Sequence, residues 1–344
     1  MARRNENGVT IRAVAQRAGV SAMTVSNVLN GAGRASAATV ATVRAAIAEL
    51  GYVPNLAARR LAKSRATTVG LLYSNRRTPF LDAVLVGALR ATNAHGLQLI
   101  LRDGEGVSRK EAERMAQDLV RSGADALLLI PPFAEQLSGS DIVPELGVPL
   151  AAIATGTAMP DVTTVRIDNR TAMLSLTSHV IAGGHRRIAY VAGPDHYSVV
   201  AARLDGFIAA QRDAGIPPDT DLIVQHGEFD YDAGQAAARI LLSRSDRPTA
   251  IICSSDDLAV GIVAEANRRG LKLPADLTVT GFDDTILASR IWPPLTVVRQ
   301  PVEDMAFRAA ECLIAALGKT ESGVRDEIFD HAIVVRESIA RQPI

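Results

Sequence analysis

Ser21, Thr24, Ser26 and Asn27 lie close together in the chain, with Ala22 and Met23 between them. An asparagine amide both donates and accepts, which suits the adenine edge. Small apolar groups suit a thymine methyl, and hydroxyls suit phosphates or helix caps. The chemistry open to this cluster is therefore non-covalent reading of a duplex in its major groove. Catalytic chemistry finds no comparable set. The six histidines (His95, His179, His185, His196, His226 and His331) are scattered, without the i, i+4 pair of a helical metal site. Cys253 and Cys312 sit in apolar stretches and make neither a metal spacing nor a disulfide framework. Asp256-Asp257 and Asp283-Asp284 are adjacent acidic pairs, but adjacency alone does not make an acid–base couple. Gly318-Lys319-Thr320 ends like a phosphate loop, yet Leu313 stands where that loop requires glycine. No G-x-S-x-G elbow occurs. No catalytic residue, metal or cofactor is expected.

The polar cluster needs a scaffold, and the first fifty residues spell one. Thr10 can cap a helix carrying Ile11, Val14, Ala15 and Ala18 at helical spacing, and Gly19-Val20 then breaks it. Ser21 caps a second helix with Val25, Val28 and Leu29 inward, ended by Asn30-Gly31. Ser36 opens a third, with Val40, Val43, Ile47 and Leu50 as its stripe and Gly51 as its stop. Two short helices about a glycine turn, braced by a third, form a helix-turn-helix. Its second helix presents Ala22, Met23 and Asn27 outward near its N-terminal end, within reach of base edges.

Charge agrees. The 344 residues have a formal net charge of zero, but residues 1–65 carry ten basic side chains against Glu6 and Glu49, a net +8, leaving −8 on the remainder. A compact basic head on an acidic body suits a polyanion partner. Hydrophobic residues make up 48%, enough for two or three cores. No apolar run is long enough to span a bilayer. Met1 to Asn7 is basic without an apolar stretch behind it, so no membrane association and a cytoplasmic location are expected. The alternative, a solute-binding or enzymatic α/β protein without a DNA role, leaves the basic head unexplained.

From Thr67 onward strand and helix alternate. Short apolar runs at 69–73, 97–101, 126–130, 150–153, 188–191, 222–224, 250–253 and 277–279 are separated by helical stretches at 81–95, 108–122, 169–182, 199–214, 231–243 and 257–269. Fully apolar strands between helices imply buried parallel sheets covered on both faces. The predicted fold is an all-α helix-turn-helix headpiece followed by an α/β core of two doubly wound parallel-sheet subdomains, with a ligand between their strand ends.

Two long strings carry a resemblance. Val9-Thr10-Ile11-Arg12-Ala13-Val14-Ala15-Gln16-Arg17-Ala18-Gly19-Val20-Ser21, followed by Thr24-Val25-Ser26-Asn27-Val28-Leu29-Asn30-Gly31, resembles the headpiece of the lactose-repressor (LacI/GalR) family, as does Leu50-Gly51-Tyr52-Val53-Pro54-Asn55. In the body, Gly183-Gly184-His185-Arg186-Arg187, Arg203-Leu204-Asp205-Gly206-Phe207, Gly281-Phe282-Asp283-Asp284, Val298-Arg299-Gln300-Pro301 and Val335-Arg336-Glu337-Ser338 resemble that family's core, which is similar to a periplasmic sugar-binding protein. The resemblance implies a headpiece at 1–54, a hinge helix and linker at 55–65, and a core at 66–344. It divides the core into an N-subdomain of about 66–165 and 293–323 and a C-subdomain of about 166–292 and 324–340.

It also implies a role for each matched residue. DNA contacts fall to Thr10, Ser21, Ala22, Met23, Thr24, Ser26, Asn27, Asn30, Tyr52, Asn55, Ala58 and Leu61. Leu61 would be the apolar wedge of a hinge helix that orders in the minor groove when two copies pair; an ordinary linker is the other reading. The implied partners are pseudo-palindromic double-stranded operator DNA, a second copy of the chain and a small-molecule effector, a sugar or sugar derivative. Arg203 and Asp283 would contact the effector, and as a guanidinium and carboxylate they suit bidentate hydrogen bonding to hydroxyls; a structural salt bridge is their other reading. Phe80 and Phe229 would cover a flat ligand face, Ser255 holds a position often taken by asparagine, and Asp168 is either a ligand contact or a helix cap. Arg76 and Arg77 depart from the pattern. They are either solvated loop arginines or contacts for an anionic effector. The apolar faces of 81–92 and 250–264 read either as dimer surface or as core.

Overall fold

The computed structural model describes residues 11–30, 36–50, 67–74, 78–104, 108–225, 227–318 and 323–342. The chain divides into two compact units, Met1–Ala66 and Thr67–Ile344.

In the first unit, α1 (Ile11–Ala18), α2 (Ala22–Asn30) and α3 (Ala37–Leu50) fall where the sequence predicts them. Val14, Ala15, Ala18, Val25, Val43 and Ala46 close a small core, with Val28, Ile47 and Leu50 packed on it. Both internal starts are capped by serine: Thr24 N–H donates to Ser21 Oγ at 3.0 Å and Thr39 N–H to Ser36 Oγ at 3.2 Å. The turn between α1 and α2 needs Gly19, whose φ of 67° lies in the left-handed region. Arg17 on α1 pairs with Glu49 on α3 at 2.7 Å, an exposed bridge worth at most about 1 kcal/mol.

The second unit holds two sheets. The first contains β1 (Thr68–Ser74), β2 (Gln98–Gly104), β3 (Ala126–Leu129), β4 (Leu150–Ile153), β5 (Thr163–Ile167) and β11 (Asp326–Phe329), in the order β11-β5-β4-β3-β1-β2, all parallel. The second contains β6 (Ile188–Ala192), β7 (Ile223–Gln225), β8 (Ala250–Cys253), β9 (Thr278–Asp283), β10 (Thr296–Arg299) and β12 (Ala332–Val334), in the order β12-β10-β9-β8-β6-β7. Only β12, against β10, runs antiparallel in it. Strands β3, β4 and β8 are buried at every position, as strands covered by helices on both faces must be. The covering helices include α4 (Pro79–Ala94), α5 (Arg109–Arg121), α6 (Phe133–Leu137) and α7 (Ile142–Leu146) in the first lobe. The second lobe uses α8 (Asn169–Ala182), α9 (Ser198–Asp213), α10 (Tyr231–Leu242), α11 (Asp256–Arg268) and α12 (Ile286–Arg290); α13 (Val302–Leu317) returns to the first.

The chain crosses between lobes after Ile167, after Arg299 and after Phe329, which corrects two of the expected boundaries. The break near 292 that the resemblance implies falls before β10, which joins the second sheet before the chain leaves it. The expected break at 324 falls before β11, an edge strand with alternate residues exposed, which still belongs to the first sheet. Such a strand lacks the continuous apolar run by which buried strands are recognised.

The two readings of the apolar helix faces also separate. Ile251, Ile252, Leu258, Ile262 and Val263 are buried core, whereas Asp257, Val260 and Ala264 of the same stretch are half-buried. On α4, Leu81, Val84, Ala88 and Ala91 are buried whereas Val86 and Leu89 face outward.

Candidate functional site

In a doubly wound sheet the order of strands reverses at one point, and a crevice opens there beyond the carboxyl ends. Here the reversals lie between β1 and β3 in one lobe and between β6 and β8 in the other. The loops leaving those strands wall a single cavity. Ser74, Thr78, Phe80, Leu81, Ile130, Pro131 and Ala154 contribute from the first lobe; Tyr197, Val199, Arg203, Phe229, Ser255, Asp257 and Asp283 contribute from the second, and Gln300 from a crossover. Five of the six expected effector residues, Phe80, Arg203, Phe229, Ser255 and Asp283, are thus brought together.

Asp168 is not among them. Its carboxylate accepts from Thr171 N–H at 3.0 Å and from Thr171 Oγ at 2.7 Å, capping α8. The capping reading holds, because an aspartate at the residue before a helix finds orphan N–H groups close by.

Arg203 is the buried centre of the polar wall. Its guanidinium lies over the Phe282 ring at 3.6 Å. Nε donates to Asn169 Oδ1 at 2.8 Å and Nη1 to the Ser254 carbonyl. Nη2 stands 3.9 Å from Asp283 Oδ1, too far for a good hydrogen bond. Asp283 Oδ1 is instead held by Gln300 Nε2 at 2.5 Å. The two groups therefore form a loosely closed donor–acceptor pair, and a hydroxyl that accepts from Nη2 while donating to the carboxylate would close it. Burial pushes the Asp283 carboxyl up to about 6, against the pull of Arg203 and Gln300. Asp283 and Asp284 both take positive φ, 110° and 61°, and their carboxylates have different partners. Asp284 is neutralised by Arg299 and Arg336, each at 2.5 Å.

The aromatic side of the cavity is built by contact. Tyr197 and Phe229 meet edge to face, their centroids 5.2 Å apart. Gly193 makes room for them: a Cβ there would sit 2.3 Å from Phe229 Cζ. Gly193→Ala is expected to push the ring from its seat and weaken effector binding about tenfold, the order of one edge-to-face contact. Titration calorimetry checks it, and unchanged affinity would remove Phe229 from the binding surface.

Sequence reasoning missed Ser74, Thr78, Tyr197, Asp257 and Gln300. Asp257 belongs to an acidic pair weighed only for catalysis, and Gln300 stands within a string that carries the resemblance. Glu135 was also unforeseen. This residue of α6 accepts from Ser198 N–H at 3.1 Å and from Ser198 Oγ–H at 2.6 Å, and Gly156 N–H donates to Ser198 Oγ at 2.7 Å. First-lobe groups thereby grip the start of α9, between the cavity residues Tyr197 and Val199. Burial raises the Glu135 carboxyl above its ordinary range.

In the headpiece, Met23 is 71% exposed, as a base-reading side chain must be. Ala22 instead packs partly on the headpiece core, and the Ser21 hydroxyl is engaged with Thr24 N–H and Oγ. Thr10, Tyr52, Asn55, Ala58, Leu61, Arg76 and Arg77 lie outside the described residues, as do the side chains of Ser26, Asn27 and Asn30.

Two families match the chain: "Bacterial regulatory proteins, lacI family" over residues 10–55 and "Periplasmic binding protein-like domain" over residues 177–339. The HTH-type transcriptional regulator CelR of Thermobifida fusca is 36% identical over 341 residues, covering 96% of this chain and 98% of CelR. The HTH-type transcriptional repressor CytR of Escherichia coli (strain K12) is 30% identical, with 99% of each chain covered. Among solved structures, a CelR–cellobiose complex superposes with a TM-score of 0.70 at 33% identity, over 96% of this chain and 99% of that one. The Lac repressor dimer bound to operator and the anti-inducer ONPF superposes at 0.72 with 23% identity, over 97% and 100%, a likeness of fold.

Proposed function

This chain belongs to the lacI family of bacterial regulatory proteins, and on that premise we propose that it is a cytoplasmic transcriptional repressor, not an enzyme, whose grip on operator DNA is set by a sugar or sugar derivative bound between its two core lobes. The observation that carries the reading is the cavity at the two topological switch points, whose lining combines Arg203 and Asp283 with Phe80, Tyr197 and Phe229. Polar groups that pair with hydroxyls, together with rings that cover apolar faces, are the complement of a sugar. The solved CelR relative holds cellobiose. No helix among the described residues is long and apolar enough to cross a membrane.

The proposed organisation is a headpiece at 1–54, a hinge helix and linker at 55–65, and the two-lobed body. Two headpieces of a dimer would occupy the halves of a pseudo-palindrome, with α2 in each major groove and the paired hinges in the central minor groove. Effector binding shifts the balance between lobe arrangements, and operator affinity follows whichever arrangement the effector prefers.

Operator fragments selected in vitro, followed by fluorescence anisotropy of the full chain with and without a sugar panel, test this. The expected result is nanomolar, steeply salt-dependent binding to one duplex, altered by a sugar that also raises the melting temperature. No salt-sensitive preference for any duplex would overturn it. Leu61→Ala is expected to weaken operator binding at least about tenfold, since insertion of an apolar wedge offsets the cost of unstacking. Unchanged affinity would reduce residues 55–62 to a linker.

A further inference from the structure

We propose that Asp257 forms a subsite that takes a hydrogen-bond donor of the effector, a hydroxyl or an ammonium, and turns anionic ligands away. The proposal rests on the reading of the cavity as the effector site. It begins with what each nearby carboxylate already does. Asp230 caps α10 through Ala233 N–H at 2.8 Å, and Asp256 accepts from Thr285 N–H at 2.6 Å. Asp283 holds Gln300, and Asp284 holds Arg299 and Arg336. Asp257 lines the cavity in the first turn of α11, and among the described residues no cation and no other side chain engages its carboxylate.

A negative charge in a first helical turn is favourable by itself, and that would account for an exposed aspartate. Asp257 is not fully exposed. Burial, with Asp230 close by, pushes its carboxyl up to about 6, so the folded chain holds this charge at a cost that the helix end does not cancel. A ligand donor would cancel it.

The rest of the wall points the same way. Arg203 is the cation of the described lining; two of its edges are committed to Asn169 and the Ser254 carbonyl, and Nη2 faces Asp283 at 3.9 Å. Against it stand two carboxylates, Asp257 and Asp283. Gln300 adds a further acceptor, since its Oε1 is buried without a partner. Two carboxylates therefore stand against one cation in the described lining. A phosphate or carboxylate entering this wall meets like charge, whereas hydroxyls donate into it and an ammonium pairs with it.

Calorimetry on the full-length protein with glucose, galactose, ribose, cellobiose, glucosamine, galactosamine, glucose 6-phosphate and ribose 5-phosphate tests this. The expected hits are neutral or amino sugars. Asp257→Asn should weaken them about tenfold, with the larger loss for an amino sugar if the donor is an ammonium and an equal loss across both if it is a hydroxyl. The variant should also narrow the gap to the phosphorylated sugar. A role confined to the helix end would lower stability without changing this selectivity. Should Asp257→Asn not fold, Asp257→Ser repeats the comparison. Tightest binding of a sugar phosphate by the unaltered protein, or affinities unmoved in the variant, would overturn the subsite alone. A panel in which nothing binds would overturn the sugar reading itself.

Discussion

Arg203→Lys is expected to leave the body folded while lowering effector affinity at least about 30-fold, the lower end of what truncating one member of a buried hydrogen-bonded charge pair costs. A guanidinium serves three directions at once here: it donates to Asn169 Oδ1, donates to the Ser254 carbonyl and lies flat on Phe282 at 3.6 Å. A lysine ammonium keeps the charge beside Asp283 but has neither the fork nor the plane. Arg203→Met removes the charge as well. Breaking a buried pair commonly costs about 3–5 kcal/mol, but Asp283 has an escape, because a carboxyl already pushed up to about 6 takes a proton readily. The sign follows. A carboxyl whose folded pKa lies above its unfolded value destabilises the fold above that folded pKa, and the penalty fades as pH falls through it. Removing Arg203 raises the folded value further, so the stability lost in Arg203→Met should be larger at pH 8 than at pH 5. Urea unfolding at the two pH values reads this difference. Equal losses would mean that the pair is not electrostatically coupled, and unchanged sugar affinity in Arg203→Lys would take Arg203 out of the site.

How far the sequence carried the reading depends on what each element must do. Helices α8 to α11 begin and end within two residues of their expected bounds, because aspartate or serine caps precede three of them and apolar spacing runs through all. Strands β3, β4 and β8 were legible because burial on both faces demands unbroken apolar runs. Strands β5, β10, β11 and β12 were not: they are short, they carry polar residues such as Arg166 and Asp326, and partners far along the chain hold them in place. Helix α13 escaped for another reason. Its buried Val302, Met305, Ala306, Ala309, Ala310 and Leu313 do recur at helical spacing, but the partner they pack on, α4, lies more than two hundred residues away and no local window contains it. The cavity shows the same division. Arg203 and Asp283 were found through strings with a resemblance, whereas Tyr197, Asp257 and Gln300 become cavity neighbours only when eight strand ends from two lobes converge.

Ser198 is the residue where that convergence can be measured. Ser198→Ala is expected to weaken effector binding by about five- to 150-fold while changing global stability much less. The hydroxyl donates to Glu135 and accepts from Gly156, so its loss strands a buried N–H and deprives a buried carboxylate of one donor. Each buried group left unpaired costs about 1–3 kcal/mol. That cost falls only on the arrangement in which the lobes touch, because separated lobes expose both groups to water. An effector gripped by both lobes binds the touching arrangement, and its apparent affinity falls with that arrangement's population. Glu135→Gln separates this from general damage: an amide oxygen still accepts from Ser198 without a buried charge, so affinity should hold or rise, whereas Glu135→Ala should behave like Ser198→Ala. Burial holds the Glu135 carboxyl above its ordinary range in the touching arrangement, so that arrangement binds a proton more tightly and mild acid should favour closure. Small-angle scattering of the ligand-free protein should therefore show a larger radius of gyration in Ser198→Ala and a smaller pH response in Glu135→Gln. If Ser198→Ala bound effector as tightly as the parent and scattered identically, closure would have to be governed at the three crossovers after Ile167, Arg299 and Phe329 instead of at this junction.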